Sequence, residues 1–201
     1  MRRVMVVGAS GLLGRNICEA LGDTSEVVQA SRADSPERVD ISDPASISAL
    51  FDRVGLVDGL VCVAGTAPYL PWANITDADW AAGLANKLMG QVNLTRIGAP
   101  FVRDGGAIVL TSGLLSDMSM PGSSIMSTIN AAVNAFVRSA ALEIGRGVRV
   151  NTVSPGWVSE SMVAMGMDPS PGMPAADIAR IFVGLLSGES NGMTVPAVKS
   201  E

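Results

Sequence analysis

Short runs of branched apolar residues alternate along the chain with longer stretches in which apolar positions recur every three or four residues. The first pattern predicts buried strands over residues 3–7, 26–30, 56–63, 107–111 and 148–153. The second predicts helices over 11–21, 43–53, 77–101, 123–144 and 175–186. Strands and helices in alternation are the signature of βαβ units. Parallel strands need right-handed crossovers, so the expected fold is α/β, a doubly wound parallel sheet forming a single domain over 1–201. Thr76 ahead of Asp77 and Asp79 offers a cap, and Asp43-Pro44 places a proline just inside the next predicted helix start. Residues 31–40 are polar, contain a proline and are too few for a full helix, so that crossover is expected to be a loop. Residues 156–174, rich in Met, Ser, Pro and Gly, are expected to form a mobile loop over a site.

Composition narrows the class. In 201 residues, 48% are apolar and 16% charged, which suits one well-buried core and argues against disorder. The net charge of −5 and the scattered Lys and Arg residues speak against a nucleic-acid partner. Met1-Arg2-Arg3 precedes an apolar run that ends at Gly8, too short for a secretory signal, and no stretch approaches the roughly 18 apolar residues of a membrane span. A cytoplasmic protein without membrane contact is expected, with Cys18 and Cys62 as buried thiols rather than a disulfide. The chain has no histidine, which removes the commonest general base and metal ligand, and no metal site is expected.

Gly8-Ala9-Ser10-Gly11-Leu12-Leu13-Gly14 lies between a predicted strand and a predicted helix. Glycines there let the backbone turn tightly and approach a pyrophosphate, which the N–H groups and positive end of the following helix can hold. The spacing alone also fits a tight turn with no ligand. At the end of the second strand, where NAD-binding sites place a carboxylate, the chain reads Ser31-Arg32. A hydroxyl and a guanidinium suit a 2′-phosphate, favouring NADP(H) over NAD(H), unless Arg32 is an ordinary solvated residue.

Taken with Asp40-Ile41, Ala64-Gly65, Thr111-Ser112 and Asn151-Thr152-Val153-Ser154-Pro155-Gly156-Trp157-Val158 in this order, the chain resembles the short-chain dehydrogenase/reductase family over nearly its whole length. The resemblance implies a Rossmann-type fold in which Asp40 and the backbone at Ile41 lie against adenine and Ala64-Gly65 flanks a ribose. Pro155, Gly156 and Val158 would hold the nicotinamide carboxamide. It also implies a serine at the end of the fifth strand, matched by Ser112, and a Tyr-x-x-x-Lys pair on one helix. That pair is absent. The alignment puts Met126 in place of the tyrosine and Asn130 in place of the lysine, and the family's helix asparagine falls on Lys87, with Asn86 beside it.

A thioether delivers no proton. Lys87, on a helix expected to face the cleft, is the candidate donor, because a nearby cationic nicotinamide would lower its pKa; the other reading is a solvated helix residue. Tyr69, the chain's one tyrosine, either lines the pocket or packs. Two functions are compatible with these residues. One is an NADP(H)-dependent oxidoreductase of a small, apolar carbonyl or alcohol, with Ser112 polarising the oxygen and Lys87 or water handling the proton. The other is an NADP(H)-binding protein without turnover, a redox sensor or partner subunit. Trp80, Leu84, Leu88 and Val92, at fourfold spacing, and the Ala- and Ser-rich helix over 123–144 predict a homodimer or tetramer.

Overall fold

The computed structural model describes residues 1–199, with Asp23 through its backbone only; the last two residues of the expected 1–201 unit lie outside the described residues. Seven parallel strands stand in the order β3-β2-β1-β4-β5-β6-β7. They are β1 (Arg2–Val7), β2 (Ser25–Ser31), β3 (Glu37–Arg38), β4 (Val57–Cys62), β5 (Val102–Thr111), β6 (Arg149–Pro155) and β7 (Thr194–Ala197). The alternation within β1 shows how the sheet divides its core. Val4 and Val6 pack with Ile17, Leu21 and Phe182 from α1 (Leu12–Leu21) and α7 (Ala175–Ser187). Met5 and Val7 face the other way. They join Leu50 and Phe51 of α2 (Pro44–Val54), Leu94 of α4 (Met89–Gly98) and Val133 and Val137 of α5 (Ser124–Glu143). Full burial of each such side chain stabilises by roughly 1.5–3 kcal/mol, so both faces of the sheet are anchored independently.

The strand order turns back between β1 and β4, and a parallel sheet opens a crevice at the carboxyl ends there. Gly8 follows β1 and Val63-Ala64 follows β4, so the glycine-rich turn sits at that crevice. Gly8 N–H and Ala9 N–H both donate to the Ala30 carbonyl at 2.8 and 3.2 Å, tying the turn to β2.

Several expectations need correction. The crossover after β2 holds no helix, as expected, yet Glu37 and Arg38 form a two-residue parallel edge strand. β7 was not predicted, because Pro196 interrupts its apolar run; the proline is tolerated there since β7 is the opposite edge. The strand expected over 148–153 runs two residues further, to Pro155. Residues 156–174 are not loop throughout: they hold α6 (Ser159–Ala164), and a Val158–Met173 bridge joins their ends. The expected single helix over 77–101 is broken into α3 (Asp77–Gly83), a π turn (Leu84–Leu88), α4 and a terminal 3₁₀ turn. Gly83 and Gly90 flank the π turn, and a Cβ on either would come within 2.8 Å of Ile129 or Ile41. Close contact with both neighbours is thus obtained at a widened turn. The helix starts are as expected: Asp43 caps α2 ahead of Pro44, and Thr76 and Asp79 form a capping box for α3.

Candidate active site

A cavity of about 430 Å³ lies at the carboxyl ends of β1, β2 and β4. Its lining brings together Gly8, Ser10, Gly11, Ser31, Arg32, Asp40, Ile41, Ala64 and Gly65 from the expected site. Gly8 has φ +95°, and a Cβ there would lie 2.8 Å from the Ala64 nitrogen. A Cβ on Gly14 would overlap the Gly8 carbonyl, so α1 reaches the strand only because residue 14 has no side chain. α1 opens without a side-chain cap and without an acidic residue in its first turn. Its leading N–H groups are therefore left for an anion.

At the far end of this cavity Ser31 is buried with its Oγ unpartnered. Arg32 is exposed and forms no ion pair among the described residues, while the Arg38 guanidinium donates to its carbonyl at 3.4 Å. Asp40 Oδ1 accepts from the Ser42 hydroxyl (2.6 Å) and N–H (2.9 Å), which holds its carboxyl below the usual range. The residues present fit a nucleotide bearing a 2′-phosphate: a cradle that a Cβ would fill, an orphaned hydroxyl and a free guanidinium.

Val63 and Gly65 also line a second cavity, of about 700 Å³, so the two meet at the end of β4. Here the structure assembles Leu13, Ser112, Lys87, Tyr69, Met126, Asn130, Pro155 and Gly156. Leu12, Gly14 and Val158 are not among the lining residues of either cavity. Lys87 lies in the π turn, where Gly65, at φ +112°, leaves room for its backbone: a Cβ on residue 65 would be 3.1 Å from Lys87 Cα. Its Nζ donates to the Ser112 carbonyl at 3.1 Å. Burial lowers the Lys87 pKa to about 8, with Cys62 opposing the shift, and burial pushes the Cys62 thiol up to about 12. The ammonium therefore gives up its proton more readily than an ordinary lysine, while the thiol keeps its own. Ser112 is 3% exposed with no partner for Oγ, and Asn130 is 1% exposed with no partner for Oδ1. Met126 stands one helical turn before Asn130, facing the same space. Tyr69 lines the cavity rim and stays exposed, its phenol donating to the Pro121 carbonyl at 2.7 Å.

Two residues that matter to this geometry were not singled out from sequence. Gln91 is fully buried; its Oε1 accepts from Thr111 N–H and its Nε2 donates to the Thr111 carbonyl, both at 2.9 Å, and to the Lys87 carbonyl at 3.3 Å. It thereby fixes the π turn to the end of β5. Asn86 Oδ1 accepts from Thr66 N–H at 2.8 Å and pins the loop after β4. Its position beside Lys87 was the only signal. Among the described residues no His, Cys, Asp and Glu cluster suits a metal, both cysteines are free, and no helix is long and apolar enough to cross a membrane.

A family model described as enoyl-(acyl carrier protein) reductase matches residues 12–187. A (5R,7aS)-5-hydroxy-7a-methyl-1-oxo-2,3,5,6,7,7a-hexahydro-1H-indene-carboxyl-CoA reductase of Mycobacterium tuberculosis is 32% identical over 77% of this chain, which spans 63% of that relative's length. The crystal structure of the protein lin1944 from Listeria innocua superposes with a TM-score of 0.94 at 33% identity, covering 98% of this chain and all of that one. A small-chain dehydrogenase solved in complex with NADPH gives 0.86 at 26% identity, covering 98% of this chain and 96% of that one.

Proposed function

The chain belongs to the short-chain dehydrogenase/reductase family, and on that premise we propose that it is an NADP(H)-dependent oxidoreductase of a small apolar carbonyl or the matching alcohol. The observation that carries the reading is the meeting of the two cavities at Gly65, where an anion cradle continues into an apolar chamber holding Ser112 and Lys87. Gly8, Ser10, Gly11, Leu12, Leu13 and Gly14 would hold the pyrophosphate, Ser31 and Arg32 the 2′-phosphate, and Asp40 and Ile41 the adenine. Ala64 and Gly65 would take a ribose, and Pro155, Gly156 and Val158 the carboxamide. Bound NADPH would supply the hydride. The chain's own contribution is to orient the substrate oxygen by the Ser112 hydroxyl and to deliver a proton from Lys87 Nζ. A donor with a pKa near 8 is well matched to that task.

Residues 156–174 would cover this chamber: Trp157 and Met165 line it, while buried Met162 and the Val158–Met173 bridge fix the segment's base. Leu84 is exposed and Trp80 and Val92 are half-buried, which leaves them available to a homodimer or tetramer contact, while Leu88 also packs on the core; light scattering above the 20.6 kDa monomer mass is expected. A cytoplasmic setting suits the two free thiols.

The test is NADPH and NADH titration, followed by single-turnover oxidation of bound NADPH with a carbonyl panel. Tighter NADPH binding and turnover of at least one carbonyl are expected. A second reading, cofactor binding without turnover, is favoured by Met126, which has no proton to give. Rebuilding the family's pair with Met126→Tyr and Asn130→Lys separates the two. A protein that already uses Lys87 gains little, whereas a dormant scaffold gains reductase activity.

A further inference from the structure

Among the described residues lining the second cavity, Lys87 alone carries a formal charge. The elements around it supply no counter-ion. β4 presents the Cys62 thiol, which burial keeps protonated; the end of β5 presents the Ser112 carbonyl; α4 and α5 present the amides of Gln91 and Asn130. Asp117 in the rim loop is exposed and accepts from the Ser116 hydroxyl. A desolvated cation without a partner is costly, and a ligand that brings the opposite charge removes that cost. An ammonium has three donors; one is engaged by the Ser112 carbonyl at 3.1 Å, which leaves two. The same lining includes Ser112 and Asn130, whose Oγ and Oδ1 have no partner. The rest of the lining is apolar and adaptable, with Met118, Met120, Met126 and Met165.

We propose that this cavity takes an apolar oxo acid, its carboxylate paired with the Lys87 ammonium beside the reacting carbonyl; this rests on the reductase reading above. Two free donors on one nitrogen match two adjacent oxygens, one of the carboxylate and one of the ketone. The methionines would enclose the aliphatic tail.

Calorimetric titration of the whole protein with hexanoate and with hexanamide, with and without NADPH, tests the charge directly. Hexanoate should bind at least tenfold more tightly at pH 7, and the advantage should vanish as the pH rises past the point where Lys87 loses its proton. Lys87→Met should remove the preference and Lys87→Arg should keep most of it. Equal affinities, no binding by either probe, or a preference that survives Lys87→Met overturns the proposal; the pH profile of the parent decides the matter if the variant fails to fold. NADPH consumption with 2-oxohexanoate and with 2-hexanone separates this inference from its premise. Hexanoate preference with neither compound reduced keeps the anion site and removes the reductase reading. Reduction of both at equal efficiency, with no hexanoate preference, does the reverse.

Discussion

Between β1 and α1 the proposed anion cradle is made of main chain, whereas around Ser112 the proposed chemistry belongs to side chains. At the cradle, function is a matter of what is missing: no Cβ at Gly8 or Gly14 and no cap on α1. Around Ser112 it would be a matter of which head groups reach the cavity, where Lys87, Met126 and Asn130 stand together. A main-chain site tolerates almost no change in residue size. A side-chain site can be reassembled from another element while the fold stays intact.

That contrast breaks if the two ends respond alike to substitution. The largest effect is expected at the side-chain end: Lys87→Met should slow hydride transfer from bound NADPH by roughly 10²- to 10⁴-fold while NADPH affinity stays nearly constant. Stopped-flow measurement on a carbonyl that the parent accepts checks this, and an unchanged rate would assign the proton to water. At the main-chain end, Gly14→Ala should do the opposite, lowering NADPH affinity and thermal stability together, by roughly 1–3 kcal/mol for the overpacked turn. A variant that melts like the parent and binds NADPH as well would show that α1 can simply shift.

The buried ammonium also leaves a mark on stability. Unfolded chains hold the Lys87 proton up to its ordinary value of 10.5, whereas the folded chain gives it up near 8. Between those values the unfolded state binds more protons, so the Lys87 contribution makes stability rise with pH, by on the order of 1–3 kcal/mol. Denaturant melts at pH 7 and pH 10 should show that rise in the parent and not in Lys87→Met, which should be the more stable protein at pH 7. The smallest effect is expected at Arg32. Arg32→Ala should cost NADPH about tenfold in affinity and leave NADH unaffected, since a charge-assisted pair contributes roughly 1.5–3 kcal/mol before solvent screening of an exposed guanidinium. Fluorescence titration of both cofactors reads it.

The same contrast governs how much could be read before the fold was known. Gly8, Gly11 and Gly14 announce a backbone need that few other residues meet, and the pattern of strands and helices places them at the crevice. That Ser31 and Arg32 would reach the same cavity is legible because the end of β2 lies at the crevice. Lys87 is legible only by its offset within a helix, and nothing in its neighbours foretells the bond to the Ser112 carbonyl or the lack of a counter-ion among the described residues. Gln91 escaped notice because a glutamine on a helix reads as surface until the strand end it clasps is known. β7 was hidden by a proline that only an edge permits, and α6 by its brevity. The π turn has no residue signature at all.

That turn has a further consequence. An α-helix keeps its faces aligned every 3.6 residues, and the wider turn at Leu84–Leu88 puts α3 and α4 out of phase with each other. Removing one residue from 84–88 would restore the phase and swing the ammonium off its bearing on Ser112, with every other letter of the sequence unchanged. The presence of a charged group in the chamber is thus encoded partly as a count of residues, and a lineage can gain or lose it by a single insertion or deletion where a comparison of aligned residue types would register only a gap.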